Sequence, residues 1–236
     1  MRRVLICGIF IGAALAAVTV AQPQNGPEAN EFALQPGDLL FQSLDCGDLC
    51  DAIYAVTEGR GGANFAHVGM VTETSGNDAL IIESVGAFGV VETPLREYLA
   101  KAEGPDGAPR VVVGRLDADY QELIPDAIEA ARERLGKPYD PVYLIDNGAY
   151  YCSELLYEAF REANDGEPLF QLEPMTFKEP ETGVLFPAWE DHYANLNEPV
   201  PEGEPGLNPG GMSNAPFIEI VHVYGAPGGW SDAAGH

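Results

Sequence analysis

The chain has 236 residues, 37 of them acidic against 12 basic, for a formal net charge of −25. So negative a surface repels phosphate backbones and anionic bilayers, which argues against a nucleic-acid partner. With 46% hydrophobic residues the chain can still bury an ordinary core, and its length suits one sizeable domain.

The N-terminus reads as an export signal. "MRR" precedes an apolar run with no charge before Glu28, and small residues stand near Thr19 and Ala21. This pattern gives a signal peptide over 1–21, cut near Ala21, with an uncleaved N-terminal anchor as the alternative. The mature protein is then secreted or periplasmic, without strong membrane association. Losing Arg2 and Arg3 takes its charge from −25 to −27. Cys7 leaves with the signal, so three cysteines remain, an odd count for an oxidising compartment.

Residues 22–36 are polar and contain proline, a flexible arm before a single domain over 37–225. "GDLLFQ" reads as a short buried strand, with Asp38 fixing the turn at its start. "CGDLCDAIYAVT" has apolar residues at 49, 52, 53 and 56, a helical spacing, with Asp45 as its cap. "FAHVGMVTE" and "ALIIESV" are strands around the turn "TSGND", and "FGVVET" is a third. "TPLREYLAKA" starts a helix with Thr93 as cap and Pro94 in the first turn. A strand "RVVVGRL" and a helix "IPDAIEAARERLG" follow, the helix with Pro125 early and Gly136 as its stop. A connector containing Tyr139 and Asp140 leads to the helix of "YYCSELLYEAF". Beyond residue 164 the chain is rich in proline and glycine, with one late strand, "FIEIVHVY", and a disordered tail over 226–236. Strands fill the first half with helices flanking them, so the class is α+β with a mainly antiparallel sheet.

Cys152 falls at the first turn of its helix, with Leu155, Leu156, Ala159 and Phe160 as the buried stripe. Unpaired N–H groups and the positive dipole end stabilise a thiolate there, and the Cys152 backbone N–H can serve as an oxyanion hole. Without a base the residue is a small apolar packing group. Of the four histidines, His67 lies in a strand beside Gly69, which leaves room above the ring. If the hairpin turn is centred near Ser75, His67 stands opposite Glu83. A slip of two residues keeps the pair on one face as diagonal neighbours, and a slip of one separates them. Glu83, an acid in the apolar run "LIIESV", would then orient the base of a cysteine triad.

"PGDLLFQ", "AHVGMV", "LIIESVG", "GKPYD" and "YYCSEL", in that order, resemble the circularly permuted NlpC-like papain-fold hydrolases of the YiiX/YebB-like group. The resemblance covers residues 34 to 165 and implies a permuted papain-like fold whose sheet packs on the cysteine helix. Position by position it puts the nucleophile on Cys152, the base on His67 and the third polar residue on Glu83. It implies cofactor-free cleavage or transfer at an amide or ester carbonyl.

The expected activity is therefore that of an exported thiol hydrolase of the cysteine peptidase or amidase type. Its substrate would be a small acyl-amide, a peptide or a lipid-like molecule. An acyltransferase with the same triad and a non-catalytic ligand-binding module are the alternatives. No metal is expected, since Cys46 and Cys50 form one C-x3-C without a second pair. These two are instead expected to be disulfide-bonded, leaving Cys152 free. Helical Cβ atoms at i and i+4 stand about 5–6 Å apart, beyond the roughly 3.5–4.5 Å of a disulfide. The bridge thus requires "DCGDLC" to be a turn entering the helix at Cys50. Among Trp189, His192 and Tyr193, in "FPAWEDHY", a substrate-side aromatic is expected.

Overall fold

The computed structural model describes residues 32–231. The proposed signal peptide, with its alternative as an anchor, lies outside them, as do most of the arm and the last five residues. Among the described residues no helix is long and apolar enough to cross a membrane.

The elements follow in order: β1 Leu39–Gln42, α1 Asp48–Val56, β2 His67–Ser75, β3 Asp78–Val85, β4 Gly89–Pro94, α2 Leu95–Lys101 and β5 Val111–Leu116. Then come α3 Ile124–Glu133, α4 Cys152–Ala163, β6 Glu173–Pro174, α5 Pro187–Leu196, β7 Pro205–Gly206, α6 Pro209–Ser213 and β8 Ile218–Tyr224. Six strands form one sheet in the order β4-β3-β2-β1-β5-β8, and every pairing in it is antiparallel.

Alternation along the strands divides the core between the two faces. Val68, Met70, Ile82 and Val112 pack with Leu155, Leu156 and Phe160 of α4. Leu40, Val71, Ile81 and Val113 pack on the other side with Leu95 and Tyr98 of α2. All four residues of the stripe expected on α4 are fully buried. Gly69 does not leave open room. A Cβ there would meet Ile81 Cγ2 at 2.7 Å and Tyr98 Cε2 at 3.0 Å. Glycine is required because Tyr98 lies against the strand, its hydroxyl donating to the Leu40 carbonyl at 2.7 Å.

Several local expectations are corrected. Gly47 rather than Asp45 precedes α1, with no side-chain cap. Cys46 and Cys50 are joined, with Cα atoms 5.2 Å apart. The helix starts at Asp48, not Cys50, and Gly47 at φ 67° turns the chain so that Cys46 lies outside the regular helix. Thr93 belongs to β4 instead of capping α2, and Pro94 stands at the cap. Residues 226–231, expected to trail, bond back to the body. Gly228 N–H donates to Ser43 Oγ at 3.3 Å, and the Gly228 carbonyl accepts from Asn64 N–H. At the other end of the described chain, Phe32, expected in the arm, stacks on His222 with ring centroids 4.5 Å apart.

Asp38 accepts from Gln35 N–H at 2.8 Å, closing the turn before β1. Both its oxygens also receive Arg115, at 2.7 and 2.8 Å.

Candidate active site

The β2–β3 register decides whether His67 and Glu83 can meet. Next to the turn, Ser75 pairs with Asp78, Thr74 with Ala79 and Glu73 with Leu80. Continued without a break, that register would put His67 and Glu83 on opposite faces. A β-bulge intervenes: beyond it Val71 pairs with Ile81 and Met70 with Ile82, leaving Thr72 as the extra residue. Parity is restored, and the two side chains meet diagonally on one face. The expected direct opposition of 67 and 83 is thus a diagonal pairing, because the turn lies at Gly76–Asn77 and the bulge adds a residue. Thr72 is tied down by donating to Glu92 Oε1 at 2.7 Å, and Arg132 bonds the same oxygen at 2.8 Å.

His67 Nε2 lies 2.7 Å from Glu83 Oε2, and the pair is almost wholly buried. The other Glu83 oxygen accepts from Thr93 Oγ1 and from Lys101 Nζ, each at 2.5 Å. Burial alone would push this carboxyl up. The His67 hydrogen bond and charge, with Lys101 and Thr93, outweigh it and hold Glu83 at about 2.

His67 begins β2 and Cys152 begins α4, so both stand at element ends, close enough that each shifts the other's protonation. Burial opposes the imidazolium, but the bonds to Cys152 and Glu83 prevail and raise His67 to about 9. Burial likewise opposes the thiolate. The His67 hydrogen bond and charge, with the Val68 and Ser153 backbone N–H groups, bring Cys152 below the ordinary thiol value. Together these shifts define a window in which thiolate and imidazolium coexist.

The connector before α4 is held to the sheet. Tyr139 and Tyr150 form a parallel bridge, and Ser84 Oγ donates to the Tyr150 carbonyl at 2.5 Å. Asp140 accepts from the N–H groups of Val142 and Leu144 at 2.9 and 2.7 Å. At the helix start Glu154 accepts from Tyr151 N–H at 3.2 Å, and burial pushes its carboxyl up to about 8. Largely neutral near pH 7, it closes the first turn without setting a full negative charge beside the sulfur.

Cys152 opens onto a cavity of about 520 Å³. Ile53 and Val56 of α1 and Leu169, Phe170, Met175 and Phe217 from the C-terminal part give it apolar walls, and no lysine or arginine lines it. Ser153 Oγ donates to the Leu207 carbonyl at 2.9 Å, which fastens that wall to α4. Of the three candidate aromatics, Trp189 lines the cavity. Tyr193 is buried behind it against Phe177, and His192 Nε2 lies 2.7 Å from the Pro141 carbonyl.

Lys101 and the site role of Thr93 were not foreseen. Both sit around "TPLREYLAKA", where helical signals dominate, and only the strand register shows that Thr93 and α2 reach Glu83. Beyond residue 165 the wall at Trp189 was among the expected aromatics, and the rest was missed because two-residue strands and short turns carry no periodicity.

A cysteine at a helix start, a histidine from an earlier strand and an antiparallel sheet define a permuted papain-like architecture. The chain matches the family of permuted papain-like amidases, YaeF/YiiX, C92 family, over residues 33–222, and it belongs to that family. The match extends well beyond the 34–165 that its motifs cover.

It is 30% identical over 134 residues to the uncharacterized protein YiiX of Escherichia coli (strain K12), covering 56% of this chain and 61% of that one. The match thus spans less than two thirds of that relative. A crystal structure of "metalloprotein yiiX" from Escherichia coli O157:H7 is similar in fold. Its TM-score is 0.62 at 24% identity, covering 82% of this chain and 98% of that one. As to a metal here, no group of three or more His, Cys, Asp or Glu among the described residues could hold one. The donor set does not fit a metal, and no step below is routed through one.

Proposed function

We propose that this protein is an exported thiol hydrolase that cleaves amides or esters of apolar acyl groups through Cys152, His67 and Glu83. The observation that carries the reading is the buried His67–Glu83 hydrogen bond beside Cys152, whose side chain opens on an apolar cavity. The cavity favours a lipid-like acyl group over a charged peptide, since its walls offer no cation.

Cys152 attacks the acyl carbonyl carbon as thiolate, and the developing oxyanion is met by the Cys152 backbone N–H. As the tetrahedral centre collapses, the imidazolium of His67 gives its proton to the departing amine or alcohol, leaving a thioester on Cys152. Neutral His67 then takes a proton from water. The resulting hydroxide equivalent adds to the thioester carbonyl, the acid departs, and the thiolate–imidazolium pair is restored. Glu83 accepts from Nε2–H throughout, leaving Nδ1 to face the sulfur.

The experiment is a screen of p-nitrophenyl esters and p-nitroanilides of increasing acyl length, run on wild type and Cys152→Ala. The reading expects release that rises with chain length and disappears in the variant. Release that persists in Cys152→Ala contradicts it.

A further inference from the structure

The three triad groups do not balance in charge. With Cys152 as thiolate, His67 as imidazolium and Glu83 as carboxylate, the buried row keeps one negative charge in excess. Glu83 is fully buried, and an uncompensated charge in such a place is costly. The groups that face it come from three elements. His67 Nε2 of β2 lies 2.7 Å from Oε2. Thr93 Oγ1 of β4 and Lys101 Nζ of α2 donate to Oε1, each at 2.5 Å. Tyr98 of α2 is close enough for the Glu83 charge to oppose its ionisation, but its hydroxyl donates to the Leu40 carbonyl. Among the described residues Lys101 is therefore the one cation besides His67 in contact with Glu83.

Lys101 ends α2, and its side chain is 41% exposed where that of Glu83 is 0%. A helix C-terminus suits a lysine on its own account. That reason would leave the ammonium pointing into water, whereas here it reaches an inner carboxylate. It completes an alternating row of thiolate, imidazolium, carboxylate and ammonium, whose charges sum to zero. The arrangement also sets a sign. The ammonium draws on the same negative charge that holds the imidazolium proton, so the two cations compete for Glu83.

We infer that Lys101 is a positioning residue of the triad, holding Glu83 from the solvent side and taking up part of its charge, so that His67 can give up its proton. This rests on the thiol-hydrolase reading and adds a group that tunes its acid. Thr93, an uncharged donor to the same oxygen, keeps the carboxylate in place when the lysine charge is removed.

The test is Lys101→Met, which removes the charge and keeps an unbranched side chain, with Lys101→Arg as the rescue. His67 is titrated by NMR, its signal identified with His67→Ala. From about 9 in wild type, the midpoint should rise by about half a unit in Lys101→Met, a modest shift because water screens the partly exposed ammonium. In Lys101→Arg it should return toward the wild-type value. A lysine that merely props up the carboxylate predicts a fall instead, because Glu83 would swing away from His67. A fall, no change, or a rise that Lys101→Arg shares in full overturns the inference.

Cleavage of a p-nitroanilide gives a second arm, since its departing amine takes the His67 proton. The alkaline limb of kcat/KM should move upward with the midpoint in Lys101→Met, and a limb that moves downward overturns the inference. Should the midpoint rise as expected while wild type cleaves no ester or anilide at any pH, the role of Lys101 toward His67 stands and the hydrolase reading falls.

Discussion

Replacing Glu83 by glutamine removes a charge while keeping the shape, and its effect on His67 follows from the site. His67 is held at about 9 against an ordinary value of 6.5. At 1.36 kcal/mol per unit the buried ring gains on the order of 3 kcal/mol for its proton. Cys152 ranks ahead of Glu83 as a source of that gain. Burial is the largest influence on the ring and opposes its proton, so the contributions of Cys152 and Glu83 together exceed that net gain. Loss of the Glu83 charge should lower the midpoint by at least about one unit, or about 1.4 kcal/mol. Glutamine also has one acceptor oxygen where the carboxylate has two. If that oxygen stays with Thr93 and Lys101, the amide NH₂ faces Nε2 and favours the tautomer with its proton on Nδ1, the wrong one for a base facing sulfur. The imidazole resonances are titrated by NMR from pH 5 to 10, with His67→Ala identifying the His67 signal among the four histidines. The expected midpoint falls from about 9 by a unit or more, the fold is retained, and turnover slows less than in Cys152→Ala. A midpoint unmoved in Glu83→Gln, or wild-type turnover, refutes the coupling through Glu83.

Acid stability reports the same carboxylate. Glu83 is depressed from 4.5 to about 2 in the folded state, so its contribution is fully present above pH 4.5 and is lost as pH falls toward 2. Urea titrations should show up to roughly 3 kcal/mol of stability disappearing across that window, and Glu83→Gln should flatten the loss. An equal slope in both proteins contradicts it. Replacing both Cys46 and Cys50 by serine opens a loop with a separation of four residues. It should lower unfolding free energy by about 2 kcal/mol on the chain-entropy estimate. Non-reducing peptide mapping that finds these two cysteines unlinked removes the basis of that expectation.

The candidate residues were more legible in the sequence than the geometry around them. Cys152, His67 and Glu83 are legible because each is out of place locally. They are a thiol at a helix start, an imidazole in a strand and an acid in an apolar run, and a series of family motifs surrounds them. The bulge at Thr72 was not legible. One extra residue in a hairpin leaves the alternation of "HVGMVTETS" looking continuous, yet it decides whether His67 and Glu83 share a face. Thr93 shows a real ambiguity, since Thr-Pro before a helical run is a start signal and also suits a strand end. Gly69 was read as leaving space, whereas its missing Cβ admits Tyr98. The cavity walls were least legible, being loops held by single contacts such as Ser153 to Leu207.

Alkylation of native Cys152 is the most direct test. At pH 6 an ordinary thiol of pKa about 8.5 is ionised only to roughly one part in three hundred. Cys46 and Cys50 are bonded to each other, so Cys152 is the free thiol among the described residues. The account predicts that iodoacetamide at pH 6 labels Cys152 in the folded protein. His67→Ala should slow the labelling while circular dichroism stays unchanged. Native protein that resists iodoacetamide at every moderate pH, and is fully labelled only in denaturant, would mean that Cys152 is a packing residue and that the triad does no chemistry.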